Sequence, residues 1–365
     1  MGWSYRIIRI AGTDVKVHFT FLLLLGFLGL QAYQSGGTPA VVETLAFILG
    51  VFLCVLLHEF GHITMARRFG VRTPDVILLP IGGVARLERM PDEPRQEFLI
   101  ALAGPAVTLA IAGGLYAWLH IQGQHPPILA GELQAGSLII QLMQVNAFLL
   151  VFNLIPAFPM DGGRVFRSLL AMRIGLPRAT RIAASIGQFL AIGLGLAGLY
   201  FDGAYMLVFI AFFVFLGAGA ELNAVEMKTA GLGVRVGDMM MTRFATIPIH
   251  ARLEQAVRML LDADQKEFPV LDNEGRIEGI LSRDNLIAGL SQRGPQSTVQ
   301  ESMTPRVPAL HPAQGFDEAV NRLKASGVPA LPVLDESGRL VGLLSLENVA
   351  ELVLVRRAVG QRAAK

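Results

Sequence analysis

The distribution of apolar and polar positions divides this chain into two unlike parts. Over roughly the first 225 residues, apolar runs of about twenty residues follow one another, which is the length that crosses a membrane as a helix. Beyond Lys228 these runs stop, and apolar and polar residues mix as they do in a soluble domain. The runs predict six membrane spans, at about residues 17–34, 41–65, 97–119, 137–157, 183–201 and 204–222.

The soluble part contains an internal duplication at an offset of 63 residues. Phe268-Pro269-Val270-Leu271-Asp272 recurs as Leu331-Pro332-Val333-Leu334-Asp335. In the turn that follows, Gly275-Arg276 recurs as Gly338-Arg339. Each copy is predicted to form a helix, a strand, an Asp-x-x-Gly turn, a second strand and a second helix. The repeat therefore indicates two copies of one small α/β module.

Composition supports a membrane protein and narrows the list of partners. The 365 residues are 53% hydrophobic and 16% charged, with a mean hydropathy of +0.51. The chain has no basic run with interleaved aromatic residues, so we expect no nucleic-acid partner. The single cysteine, Cys54, excludes an intramolecular disulfide.

The positive charges predict an orientation in the membrane. With the six spans placed as above, every Lys and Arg of the first 230 residues falls on one side. The opposite loops, at about residues 35–40, 120–136 and 202–203, contain none. By the positive-inside rule, both termini are then cytoplasmic.

His58-Glu59-Phe60-Gly61-His62 closes the second predicted span. Residues four apart share one face of a helix, so both imidazoles can reach the same metal ion. Glu59 lies beside them, where it can polarise a metal-bound water. Ionisable residues inside a membrane are costly and are functional by default. A catalytic zinc site of this kind needs a third protein ligand and an open position for water.

Asp161 is the best candidate for that third ligand. It follows Pro156 and Pro159, which end a helix, and it precedes Gly162 and Gly163, which permit unusual backbone turns. Irregular backbone at membrane depth is tolerated where it is buried in protein or lines a watery cavity. We therefore expect a carboxylate held on a loop, at the same depth as the two histidines.

The paired motifs resemble those of the site-2 proteases, which are intramembrane zinc metalloproteases. His58 to His62 is similar to one signature, and the run from Asn153 to Gly162, with Pro156 and Asp161, is similar to the other. Residues 79–83 (Leu-Pro-Ile-Gly-Gly) resemble the family's membrane-associated β segment, and Ala103-Gly104-Pro105 its third-span motif. Thr108 departs from the pattern, which often has Asn there; the departure bears on a packing or substrate contact and not on the zinc.

The resemblance implies a role for each matching residue. His58, His62 and Asp161 correspond to the ligands of one zinc ion per chain, and Glu59 corresponds to the catalytic base. Asn153 corresponds to a polar residue that binds the substrate backbone or the oxyanion. The alternative for Asn153 is a hydrogen bond between helices of the bundle.

The implied reaction is hydrolysis of a peptide bond within the membrane. Zinc would activate the water and polarise the scissile carbonyl, while Glu59 moves the proton. A helical substrate must unwind before attack, and a strand around residues 77–84 could pair with the unwound segment. The alternative is a short re-entrant loop there that only packs over the site.

The duplicated tail resembles a tandem pair of CBS domains, which commonly bind adenine nucleotides and regulate an attached enzyme or channel. The position that is often Asp in such domains, used for ribose hydroxyls, is occupied by Asn285 and Asn348. Asn can still bond a hydroxyl, so adenine nucleotide binding is a hypothesis. The alternative is a pair that serves for dimerisation or substrate docking.

The favoured interpretation is a polytopic α-helical membrane protein of about six spans with a short membrane-associated β segment, followed by a cytoplasmic α/β tandem CBS module. The predicted boundaries are 1–228 for the protease domain and 229–296 and 297–357 for the CBS domains. We expect a prokaryotic plasma-membrane location, a membrane-spanning protein substrate and a homodimer through the CBS pair. A CBS-gated transporter or channel and a catalytically inactive scaffold are the alternatives.

Overall fold

A computed structural model describes residues 3–80, 82–86, 88, 93–129, 137–201, 203–262 and 265–362. The chain separates into two compact units, Met1–Val225 and Glu226–Lys365. Ile81 of the predicted β segment, Arg89, residues 130–136 of the predicted external loop, and Asp202 lie outside the described residues.

The first unit consists of apolar helices and one small sheet. Its elements are β1 (Ser4–Ile10), β2 (Thr13–His18), α1 (Phe19–Arg68), β3 (Asp75–Leu79), β4 (Gly82–Arg86), α2 (Pro94–Ile121), α3 (Leu138–Asn153), α4 (Asp161–Ile174), α5 (Leu176–Tyr200) and α6 (Tyr205–Gly231), whose last six residues belong to the second unit.

Four described helices, α1, α2, α5 and α6, are long and apolar enough to cross a membrane. The predicted spans 17–34 and 41–65 both lie in α1, which is broken where Gly36 and Gly37 leave the helical conformation. Gly37 has a φ of 66°, which suits a residue without a Cβ. The predicted span 137–157 corresponds to α3, which is shorter at 16 residues. The apolar membrane helices are thus confirmed, while the count of six spans stays a prediction.

The sheet of the first unit has the order β1-β2-β3-β4 and places β4 at an edge. β2 runs parallel to β3, and the other neighbours are antiparallel. Alternate residues of β2 are buried, and Val17 packs with Leu78 of β3 and Phe21 of α1. The sequence predicts a β segment at residues 77–84 but gave no sign of β1 and β2, because β2 runs directly into the first apolar run.

The segment between α3 and α4 is tightly packed. Phe158 is fully buried, and a Cβ on Gly163 would clash with the backbone of Ala157. The expectation that Asp161 sits on a loop is wrong, because Asp161 is the first residue of α4. A carboxylate is favourable in the first turn of a helix, where the peptide N–H groups point toward it. Gly162 and Gly163 are helical, and they allow close approach of backbones rather than a turn.

The second unit contains the duplicated module. Its elements are α7 (Val236–Met239), β5 (Ile247–Pro248), α8 (Leu253–Asp262), β6 (Glu267–Leu271), β7 (Ile277–Ser282), α9 (Arg283–Arg293), a 3-10 turn (Val299–Glu301), β8 (Thr304–Pro305), α10 (Phe316–Ser326), β9 (Ala330–Leu334), β10 (Leu340–Ser345) and α11 (Leu346–Arg362).

The predicted repeat unit of helix, strand, turn, strand and helix is confirmed in both copies. The hairpin β6–β7 pairs Pro269 with Ile280, and the hairpin β9–β10 pairs Pro332 with Leu343 at the predicted offset. The copies exchange their leading segments: residues 230–239 join the core of the second hairpin, and Val299 joins that of the first. Ile280, Ala330 and Leu343 form a buried contact between the copies.

Candidate metal centre

A cavity of about 610 Å³ in the first unit collects side chains from five elements. α1 contributes His58, Glu59 and His62, and α4 contributes Asp161. Further lining residues come from β4, α2 and α3. All five residues that the sequence predicted for the site, including Asn153, therefore line one cavity.

The helix α1 places His58 and His62 one turn apart on the same face. His58 is buried, and its Nδ1 lies 2.8 Å from Thr108 Oγ1. His62 Nδ1 lies 2.7 Å from the backbone carbonyl oxygen of Ile100. Both partners belong to α2. Because each Nδ1 is engaged in this way, each Nε2 is left to face the cavity.

The three candidate ligand atoms converge. His58 Nε2 lies 3.1 Å from His62 Nε2 and 3.0 Å from Asp161 Oδ2, and His62 Nε2 lies 3.2 Å from the same oxygen. Ligands bound tetrahedrally to zinc at roughly 2.0–2.1 Å stand about 3.3 Å apart. Two imidazole nitrogens and one carboxylate oxygen in a triangle of this size fit a single zinc ion.

The space in front of the histidines is kept open by Gly104 of α2. A Cβ at this position would overlap the Nε2 atoms of both His62 and His58. Gly104 is part of the Ala103-Gly104-Pro105 motif. The sequence analysis singled out this motif, but it did not predict that the glycine makes room beside the histidines. The missing side chain leaves room for an ion and a reacting group beside the three ligand atoms.

Glu59 is half-buried and lies under the edge strand β4. A Cβ on Gly83 would come within 2.9 Å of Glu59 Cγ, so the strand backbone passes directly over this side chain. The Glu59 carboxylate interacts electrostatically with His62, His58 and Asp161. A carboxylate next to the ligand atoms but not among them is suited to proton transfer.

The two asparagines of α3 occupy different positions. Asn153 is the last residue of α3 and lines the cavity. Asn146 is buried, and its Nδ2 donates to the carbonyl oxygen of Leu142 in the same helix at 2.8 Å. Asn153 is therefore the better placed of the two to meet a substrate.

A group of buried ions next to the site was missed by sequence reasoning. Arg167 of α4 donates to Glu97 of α2 and, at 2.9 Å, to Glu221 Oε1 of α6. Its guanidinium carbon lies 4.9 Å from the centre of the Phe158 ring. Arg164, one turn before Arg167, lines the cavity, and its Nη2 lies 4.0 Å from Glu221 Oε2. The signal in the sequence was the placement of Arg164 and Arg167 three and six residues after Asp161.

In the second unit, the two asparagines at the candidate ribose positions are engaged internally. Asn285 Nδ2 donates to Thr304 Oγ1 at 2.9 Å. Asn348 Oδ1 accepts a hydrogen bond from the backbone N–H of Ser345 at 3.1 Å.

Comparison with known proteins identifies relatives for both units. The profile of peptidase family M50 matches residues 46–133 and 129–194, and the profile of the CBS domain matches 236–292 and 298–355. A zinc metalloprotease of Methanocaldococcus jannaschii is 34% identical over 287 residues, covering 78% of this chain and 80% of the relative.

Two further proteins are similar over much of their length. Zinc metalloprotease Rip3 of Mycobacterium tuberculosis is 31% identical over 371 residues, covering 96% of this chain and 92% of Rip3. The solved site-2 protease from Methanocaldococcus jannaschii is 33% identical, covers 60% of this chain and 95% of its own, and superposes with a TM-score of 0.45.

Proposed function

The chain belongs to peptidase family M50, the site-2 zinc metalloproteases, and we propose that it cleaves membrane-spanning protein substrates within or next to their transmembrane segment. The observation that carries this proposal is the convergence of His58, His62 and Asp161 beside Glu59, among helices apolar enough to cross a membrane. Membership of a protease family favours this function over a CBS-gated transporter.

In the proposed site, His58, His62 and Asp161 hold one zinc ion per chain and Glu59 is the catalytic base. The support is geometric: the ligand atoms lie 3.0–3.2 Å apart, and Glu59 adjoins them without belonging to the set. Each of the four positions that the chemistry requires has a suitable residue, which argues against an inactive scaffold.

When bound, zinc supplies the Lewis acidity that activates a water and polarises the scissile carbonyl. The Glu59 carboxylate takes the proton of the attacking water and passes it to the leaving amide nitrogen. The Asn153 side-chain amide donates a hydrogen bond to the substrate carbonyl oxygen, where negative charge develops. Burial of the site among apolar helices strengthens the electrostatic interactions that Glu59 and Asn153 make with the reacting groups.

The edge strand β4 is the proposed docking strand for an unwound substrate. β4 pairs with β3 on one side and lines the cavity with residues 82–85. Val84 is 45% exposed. A substrate strand added to the free edge of β4 would run beside the strand that covers Glu59, so main-chain hydrogen bonds would hold a peptide bond near the base without demanding one sequence.

We place both termini and the CBS pair on the cytoplasmic side of a prokaryotic plasma membrane, with six spans. The positive-inside rule supports this arrangement, and the break at Gly36 and Gly37 supplies the division of α1 into two spans. The CBS pair is the proposed regulatory module and dimer contact, modulated by an adenine nucleotide or a partner protein. Comparing cleavage rates with and without AMP or ATP tests whether an adenine nucleotide modulates the activity.

The decisive test of the activity is cleavage of single-span substrates by purified protein in liposomes. Replacing Glu59 with Gln keeps the shape of the side chain but removes the base, so we expect cleavage to fall by about 10²- to 10⁴-fold while zinc is retained. Glu43→Gln is the matched control, because Glu43 is an exposed residue of the same helix. Undiminished cleavage by Glu59→Gln would reject the proposed base.

A further inference from the structure

Thr108 lines the cavity of the site, although its sequence position suggested only a packing or substrate contact. Its side chain is 2% exposed, and its Oγ1 lies 2.8 Å from Nδ1 of His58. The same hydroxyl donates to the carbonyl oxygen of Gly104, at 3.4 Å, one turn earlier in α2. The residue that departs from the family pattern therefore touches a candidate zinc ligand.

The two histidines are held by different kinds of partner. His62 Nδ1 meets the backbone carbonyl oxygen of Ile100, which no substitution removes. His58 Nδ1 meets a hydroxyl, which one substitution does remove. When Nε2 of each ring offers its lone pair to the proposed ion, Nδ1 carries the proton and donates to its partner on α2.

A hydroxyl can serve as this acceptor only if its own proton is used elsewhere. The Thr108 hydroxyl proton points to the carbonyl oxygen of Gly104, and its lone pairs are then free for the His58 N–H. The relay from His58 through Thr108 to Gly104 fixes both the tautomer and the rotation of the ring. Gly104 is also the residue whose missing side chain leaves the ion its space.

We propose that Thr108 is a positioning residue that sets the affinity of the site for zinc by holding His58 with its Nε2 lone pair toward the ion. The inference rests on the proposed zinc site. Partners that orient a ligating histidine in this way typically contribute about 10- to 100-fold to metal affinity. Thr108 would contribute that factor without contacting substrate.

A matched pair of substitutions tests the proposal. Thr108→Val keeps the shape of the side chain and removes the acceptor. Thr180→Val makes the same change at a second fully buried helical threonine, whose hydroxyl donates to Leu176 O at 2.8 Å and which does not line the cavity. Thr108→Ser restores the hydroxyl, and Thr108→Ala serves if the valine variant does not fold.

The measurement is zinc affinity of the purified full-length protein, by competition with a chromophoric chelator, together with the visible spectrum after Co²⁺ substitution. We expect Thr108→Val or Thr108→Ala to bind zinc about 10- to 100-fold more weakly and to change the Co²⁺ spectrum. The zinc affinities of Thr108→Ser and Thr180→Val should stay within about threefold of the wild-type value, which is less than the roughly 10-fold minimum loss expected for Thr108→Val.

Three outcomes are distinguishable. Equal affinity of Thr108→Val and the wild type would overturn the inference and leave the zinc site standing. Equal weakening by Thr180→Val would also overturn it, because the effect would then be one of helix packing. A wild-type protein that binds no zinc would reject the proposed function itself.

Discussion

The two units of this protein distribute polar and apolar side chains in opposite ways. Among the described residues, the second unit buries three polar side chains, Gln265, Ser282 and Ser345, whereas the first unit buries many more, including charged ones. Most of the large apolar side chains that are exposed belong to the first unit. The buried polar or charged residues of the first unit are Thr13, His58, Thr73, Asp75, Glu97, Thr108, Gln144, Asn146, Arg167, Ser168 and Thr180.

This difference decides what a polar residue signifies in each unit. In the apolar helices of the first unit, a buried polar side chain needs a partner within the protein: His58 and Arg167 bond to other helices, whereas Asn146 bonds to its own backbone. In the second unit, polar side chains face solvent and mainly close turns, as Asp272 and Asp335 do. The buried polar positions of the first unit therefore indicate its function, whereas the sequence pattern of the second unit mainly indicates its fold.

The largest effect should come from adding one methyl group to the first unit. A Cβ at Gly104 would overlap the Nε2 atoms of His58 and His62. We expect Gly104→Ala to lower zinc affinity by more than the roughly 10- to 100-fold assigned to a partner of a ligand. Chelator competition measures it. Gly114→Ala is the control, since a Cβ there meets nothing within 4 Å in the same helix; equal zinc affinity in both variants would contradict the geometry.

A large loss of stability should follow from breaking the buried ion group. Arg167→Met leaves Glu97 buried without its partner, and breaking such a pair costs about 3–5 kcal/mol. Glu97→Gln added to it should recover part of the loss, because the orphaned charge is then gone. Unfolding of the purified protein in detergent measures both.

Arg173→Met provides the control for Arg167→Met, since Arg173 is exposed in the same helix. An equal, small change in both variants would mean that the buried ions of the first unit carry no special weight, and the contrast between the two units would weaken.

The smallest effect should come from a polar turn of the second unit. The Ser337 hydroxyl and the Arg339 backbone N–H lower the pKa of Asp335 to about 2. The folded pKa lies below the unfolded value of about 3.9, so the stabilisation is present above about pH 4 and is lost as the pH falls toward 2.

Asp335→Asn should therefore lower the midpoint of thermal unfolding slightly at pH 7, and by less at pH 3. The exposed neighbour Glu336 supplies the control Glu336→Gln. A difference between wild type and Asp335→Asn that grows as the pH falls would contradict the assigned sign.

The features that the sequence predicted correctly are those with a regular spacing or a change of hydropathy along the chain. The repeat offset, the two hairpins and the apolar helices follow from patterns along the chain. Asp161 was a candidate because a carboxylate after two prolines in an apolar region is unusual. The helical start at Asp161, the ion group around Arg167 and the contact of Thr108 with His58 depend on how helices pack, which no local pattern reports. β2 was missed because it leads directly into the first apolar run, and its partner β1 was missed with it.

We propose that His58, His62 and Asp161, brought together from two separate helices, hold one metal ion. Its most direct test is zinc analysis of the purified full-length protein beside Asp161→Asn, with Asp238→Asn, in the second unit, as control. We expect about one zinc per wild-type chain, as three protein ligands and an open position imply, the same in the control, and a strong loss in Asp161→Asn. Wild-type protein without zinc under metal-replete conditions, or Asp161→Asn that binds it as tightly, would contradict the claim.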